Sequence, residues 1–148
     1  LITEDIKDKF IEDCKYFIKD SDFIKMSDEE IKLISKKEDL KESIAYIHSL
    51  GGKIIAVTLG KNGTMLSFNK NIETIPSIKI NQIDSTGAGD AFVGSMLALI
   101  LEIIQQNRYP TYEELKEICL FANKVGAITC TNYGAMDSIP TKKEIIER

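Results

Sequence analysis

The chain has 148 residues, and 19 Lys and Arg against 23 Asp and Glu leave a formal net charge of −4. With 43% hydrophobic and 28% charged residues, it has the balance of a soluble globular protein, which excludes wholesale disorder. The acidic excess argues against a nucleic-acid binder with a basic face, and the length suits one domain with one sizeable core.

In chain order, Ile6, Phe10, Ile11, Cys14, Phe17 and Ile18 recur at helical spacing between Asp and Lys, which predicts an amphipathic helix. A short strand is expected over 22–26, followed by a helix opened by Ser27-Asp28-Glu29-Glu30. A third helix, about 37–50, should stop at Gly51-Gly52. Residues 53–59 are nearly all apolar, as in a strand buried on both faces of a sheet. Gly60-Lys61-Asn62-Gly63 turns the chain into strands over 64–68 and 72–75, and Pro76 precedes an expected edge segment over 78–83. Two long helices, about 91–105 and 112–130, and a short one after Ile139-Pro140-Thr141 complete the chain. Strand–helix alternation followed by a hairpin is the pattern of an α/β fold.

Cys14, Cys119 and Cys130 are too few and too scattered for a disulfide framework or a zinc site, and lone His48 cannot complete a metal centre with them. All four read as packing or surface residues in a reducing, cytoplasmic setting. The opening Leu1-Ile2-Thr3-Glu4-Asp5 is acidic where a secretory leader would be basic. The most apolar stretch, Ala91 to Leu101, ends at Glu102, short of the roughly 18 residues a membrane span needs. No membrane or nucleic-acid partner is expected. A chain that starts on Leu rather than Met reads as a piece of a longer one.

The most informative segment is Asp84-Ser85-Thr86-Gly87-Ala88-Gly89-Asp90, which sets two glycines before a helix that is apolar nearly all round. Glycines there let backbone N–H groups turn inward, and the helix N-terminus adds partial positive charge, so the segment suits an anion such as phosphate. Gly94, one turn in, would allow close packing of that helix. Asp90 admits two readings: a general base that takes a proton from an attacking hydroxyl, or a first-turn acid that complements the helix dipole. The segment is not a Walker loop, since no Gly-Lys-Ser/Thr follows. Phe92 in the third glycine's place excludes the dinucleotide fingerprint.

Asp-Ser-Thr-Gly-Ala-Gly-Asp-Ala-Phe, residues 84–92, resembles the C-terminal signature of the ribokinase-like (PfkB) carbohydrate kinases. Val57-Thr58-Leu59-Gly60-Lys61-Asn62-Gly63 resembles the family's T-L-G-x-x-G segment. Ala122-Asn123, Gly134-Ala135 and Ile139-Pro140 match its closing helix and loop, and Lys25 to Glu30 is similar to the fructokinase branch. The resemblance implies a three-layer α/β/α sandwich of which this chain carries only the C-terminal portion. The sheet would then be incomplete and the N-terminal sugar-binding and lid half absent, because such kinases are about twice this length, against ~100–200 residues per domain.

The same resemblance implies ATP-dependent phosphorylation of a sugar hydroxyl, with fructose the leading acceptor. Asp90 would be the base, and the amides of Gly87, Ala88 and Gly89 the anion hole. Thr58, Gly60 and Gly63 would line the nucleotide, with Asn123 nearer the adenine. Glu30 would order Mg²⁺ through water. Asp84, Thr86, Thr129, Asn132, Gly134 and Ser138 would surround a monovalent cation such as K⁺. Sugar and ATP are the implied partners, with a homodimer in the full-length protein.

Several alternatives stay open. The acceptor could instead be ribose, 2-keto-3-deoxygluconate or a nucleoside. The chain could be a non-catalytic nucleotide-binding regulator on the same scaffold, or an α/β interaction module in which the glycines only turn the chain. Asn62-Gly63 also suits an ordinary hairpin turn. Ser27-x-x-Glu30 is also a capping box, a spacing repeated at Thr111…Glu114 and Thr141…Glu144. Without the sugar-contacting half the chain alone should phosphorylate sugar weakly or not at all, because a base and an anion hole act only on a hydroxyl held in line.

Overall fold

Strand formation follows the nearly all-apolar run expected over 53–59: Ile54, Ile55, Ala56 and Val57 are each at most 1% exposed in the computed structural model, which describes residues 4–147. They form strand β2 (Ile54–Thr58), whose parallel neighbour is β1 (Phe23–Ser27), in a register that runs from Phe23 opposite Ile54 to Ser27 opposite Thr58. Next come β3 (Thr64–Phe68) and β4 (Asn71–Ile75), and the four strands form one sheet in the order β1-β2-β3-β4. Asn69 and Lys70 join β3 to β4 with φ of 48° and 69°, the double left-handed turn that suits the twist of a hairpin.

The chain divides into two compact units, one running up to Thr58 and including Leu66–Ile72, the other comprising Leu59–Met65 and everything from Glu73 onward. The first holds β1, β2 and the helices α1 (Glu4–Lys19), α2 (Asp28–Ser35) and α3 (Leu40–Ser49). Helix α3 begins later than the expected residue 37 because Asp39 caps it, accepting from the Glu42 N–H at 2.9 Å. Ile31, Ile34, Ile44 and Ile47 are buried. Only part of α1's apolar face finds cover: Ile11 and Ile18 are buried, whereas Ile6, Phe10 and Phe17 are exposed. His48, as expected of a packing residue, spans the Gly52 carbonyl and the Ser67 hydroxyl, each at 2.8 Å. Of the opening Leu1-Ile2-Thr3-Glu4-Asp5, the first three residues lie outside the described residues.

In the second unit a single 3₁₀ turn (Gly60–Asn62) leads into the start of β3. It also contains α4 (Ala88–Ile104), α5 (Tyr112–Thr129) and α6 (Lys142–Glu147). Ala91, Val125, Ile128 and Ile145 make a common core against which Phe121 packs. The edge segment expected over 78–83 is not a strand. Pro76 offers no N–H to a ladder, and Ile78 and Ile83 are exposed, so pairing would bury little. The Ile83 amide instead donates to the Cys130 carbonyl at 2.8 Å. Among the described residues, no helix is long and apolar enough to cross a membrane.

Candidate functional site

The site is built at the start of α4. Gly87 takes the left-handed conformation at the helix N-cap, φ 80°, and no side chain caps the helix. Ala135 lies so near that a Cβ on Gly87 would come within 2.9 Å of its Cα. The first turn of any helix carries amides without intrahelical partners. Here the Ala88 N–H turns back to the Ser85 carbonyl at 3.2 Å, a long bond, and the Ala91 N–H reaches Gly87 at 2.9 Å. Among the described residues, nothing accepts from the Gly87, Gly89 or Asp90 amides. Three backbone donors at the start of a helix are therefore left for an anion.

Asp90 stands in this first turn with its side chain exposed. Among the described residues, no hydrogen bond or ion pair engages its carboxylate. A free carboxylate beside open amides can take a proton from a group brought to that anion.

The loop before α4 is tied down by Asp84. One of its oxygens accepts from the Thr86 N–H at 2.9 Å and the Thr86 hydroxyl at 2.7 Å. The other accepts from the Gly134 N–H at 3.1 Å. The Thr86 hydroxyl above all, then the Thr86 and Gly134 amides, hold the Asp84 carboxyl below its ordinary value. The Ser138 hydroxyl donates to the carbonyls of Gly134 and Ala135. Asp84, Thr86, Gly134 and Ser138 thus form one connected group. Thr129 and Asn132 are not joined to it by hydrogen bonds: the buried Thr129 hydroxyl donates to Val125 at 3.0 Å within α5, and Asn132 is exposed. The connected group offers only carboxylate, hydroxyl and carbonyl oxygens, the donor type that suits a hard cation. The hydroxyls that donate keep lone pairs for it.

Of the expected nucleotide residues, Gly60 and Gly63 take positive φ, 56° and 91°, at the two ends of the 3₁₀ turn. Asn62-Gly63 is thus not a two-residue hairpin turn. A Cβ on Gly63 would meet the Ile75 carbonyl at 2.1 Å, so this glycine is required by a close approach. Asn123 is 7% exposed, and its amide is fully occupied. It donates to the Ile75 and Pro76 carbonyls at 3.0 and 3.2 Å and accepts from the Thr64 hydroxyl at 2.6 Å. No amide donor remains there for an adenine. Thr64, whose role sequence reasoning missed, is fully buried in this cluster. The only hint in the sequence was a polar residue directly after the glycine turn. Close packing also falls elsewhere than expected: a Cβ on Gly94 would meet nothing, whereas one on Gly126 would lie 3.1 Å from the Ala88 carbonyl.

In the other unit, Thr58 is half-buried, its hydroxyl 3.4 Å from the Met26 carbonyl. Glu30 completes a capping box: the Ser27 N–H donates to it at 2.6 Å while the Glu30 N–H donates to Ser27 Oγ at 3.1 Å. Thr111 with Glu114, and Thr141 with Glu144, make the same reciprocal bonds. The oxygen of Glu30 that caps the helix also lies 3.8 Å from Lys25 Nζ, leaving its other oxygen for water or a metal's hydration shell. Among the described residues, no cluster of three or more His, Cys, Asp or Glu could hold a metal.

A family profile described as pfkB family carbohydrate kinase matches residues 2–142. Fructokinase-1 of Oryza sativa subsp. japonica is 33% identical over 128 residues, which cover 86% of this chain and 39% of that protein. Among solved structures, aminoimidazole riboside kinase from Salmonella enterica, complexed with aminoimidazole riboside and an ATP analog, matches with a TM-score of 0.85. The identity is 26%, over 95% of this chain and 46% of that one. A double mutant of Vibrio cholerae O395 fructokinase with fructose, ADP and potassium ion bound shares the fold, with a TM-score of 0.81 and 22% identity over 97% and 44% of the two chains. The expected ribokinase-like α/β fold is thus the fold found, and the chain spans less than half the length of these relatives.

Proposed function

The chain belongs to the pfkB family of carbohydrate kinases, and from that premise we propose that it is the nucleotide-binding, C-terminal part of an ATP-dependent sugar kinase. The observation that carries this reading is the start of α4: an uncapped helix with open amides and, in its first turn, an unengaged carboxylate. The sugar-binding half would lie in the additional length that the relatives possess.

The chemistry follows from the placement. A γ-phosphate at the α4 N-terminus is held by the Gly87 and Gly89 amides, joined by that of Ala88 when the anion displaces its long bond to Ser85. The Asp90 carboxylate accepts the proton of the sugar hydroxyl as that oxygen bonds to phosphorus. The bond from phosphorus to the bridging oxygen then breaks, and ADP leaves with the electron pair. Phosphoryl transfer needs mostly positioning and charge stabilisation, which amides and a base supply. Mg²⁺, when bound, would neutralise charge on the β- and γ-phosphates, with Glu30 ordering its water. Asp84, Thr86, Gly134 and Ser138 would hold K⁺ beside the anion hole and keep the loop in shape. Gly60, Gly63 and Thr58 would line the nucleotide.

Fructose is the proposed acceptor, because the fructokinase-1 and fructokinase-2 relatives reach 33–35% identity. The thiols of Cys14, Cys119 and Cys130 are free, which suits a reducing compartment such as the cytoplasm.

Titration calorimetry of the chain with MgATP tests nucleotide binding, and phosphorylation assays of the full-length protein across fructose, ribose, 2-keto-3-deoxygluconate and a nucleoside test the acceptor. Binding with turnover on fructose is expected. Binding without turnover on any acceptor would make the protein a regulator, and no binding would leave the glycines as chain-turning elements only.

A further inference from the structure

Asn123 has no amide donor to offer a ligand, yet it is the residue through which three separate backbone segments meet. Its Nδ2 donates to the Ile75 and Pro76 carbonyls at the end of β4, and its Oδ1 accepts from Thr64 at the start of β3. Thr64 directly follows Gly63, the glycine that packs against Ile75. The Cys119 thiol, one helical turn before Asn123, is fully buried, and burial pushes its pKa up to about 12, so it carries no thiolate at neutral pH. Asn123, Thr64 and Ile75 are buried, where an unmade hydrogen bond is costly, so the glycine turn has one well-defined position against α5.

Three residues further along the same helix, Gly126 lets the Ala88 carbonyl of the phosphate loop come within 3.1 Å of where a Cβ would stand. Helix α5 therefore touches both loops from one rigid rod. Positions three residues apart on a helix lie on the same side.

We propose that Asn123 and Thr64 are positioning residues that fasten the Gly60–Gly63 turn to α5 and so set its distance from the phosphate loop held at Gly126. This rests on the nucleotide-binding reading above and assigns Asn123 an indirect role. The turn would present its backbone to the nucleoside end of the nucleotide, and the α4 N-terminus would take the phosphates. Loosening the cluster then weakens contacts to the nucleoside while leaving phosphate contacts intact.

The test uses the full chain with two probes, ADP and inorganic tripolyphosphate, and four variants: Asn123→Ala, Asn123→Asp, Thr64→Val and Thr64→Ser. ADP affinity is expected to fall tenfold or more in Asn123→Ala, Asn123→Asp and Thr64→Val, with tripolyphosphate affinity within twofold of the unmodified chain. Thr64→Ser, which keeps the hydroxyl, should restore ADP binding. Hydrogen exchange should rise in Thr64→Val at residues 60–63 and not along α4, showing that the turn has loosened in a chain that is still folded. A parallel fall for both probes, or exchange that rises everywhere, would reduce the cluster to general stability and overturn the positioning role. Unchanged ADP affinity in the variants would overturn it as well. Failure of the unmodified chain to bind either probe would sink the kinase reading itself, a separate and recognisable result.

Discussion

Helices α4 and α5 belong to the same unit and are 17 and 18 residues long, yet they begin in opposite ways. Helix α5 closes its own start. Thr111 and Glu114 exchange bonds at 2.8 and 3.2 Å, and Arg108 grips both Glu114 oxygens at 2.9 and 2.7 Å. Helix α4 leaves its start open: Gly87 has no hydroxyl to offer, and Asp90, at the same position within its turn as Glu114, bonds to nothing among the described residues. One acid is consumed by the helix it begins; the other remains available. The difference separates a helix whose first turn is only structural from one whose first turn can meet a ligand.

The largest effect should come from exchanging the two acids' chemistry. Asp90→Asn in the full-length protein is expected to lower turnover by about 10²–10⁴ with nucleotide affinity within a factor of two, whereas Glu114→Gln should leave turnover unchanged. Steady-state assays with parallel calorimetry decide it, and equal turnover in Asp90→Asn and the unmodified enzyme would place the base elsewhere.

Next in size is Gly87→Ala. A side chain at φ 80° and 2.9 Å from Ala135 should cost about 2 kcal/mol or more in denaturant melts and weaken tripolyphosphate binding. The corresponding cap change on α5, Thr111→Ala, should cost about 1 kcal/mol and leave phosphate binding untouched. A cap deletion that weakened both would erase the contrast between the helices.

The smallest effect is a response to acid. Arg108 first, then the Thr111 amide, lower the Glu114 pKa from 4.5 to about 2. A carboxyl with a depressed folded pKa contributes stability that is complete above its unfolded value of 4.5 and is lost as pH falls toward about 2. Exchange at the amides of residues 112–115 should therefore accelerate between those limits. Fraying already present at pH 6 would contradict the clamp. Asp84, also depressed, should release the Gly134 amide in the same direction, from below the ordinary carboxylate range.

Much of this was legible in the chain itself, because the deciding interactions are local. The apolar run 54–57 is buried as its composition demands. The three Ser/Thr-x-x-Glu spacings are all reciprocal caps, since residues three apart in a first turn are within reach. The glycines at 87 and 63 marked bends in the chain, and both take positive φ. Tertiary structure decided what depends on residues far apart in sequence. Thr64 and Asn123, 59 positions apart, share a hydrogen bond that no local pattern announces. The close helix approach lies at Gly126, not Gly94, and half of the apolar stripe on α1 stays in the open. Periodicity tells which side chains share a face and glycine tells where the backbone can bend. Which neighbour arrives there is set by the packing of distant segments, and that is written in no single stretch of the chain.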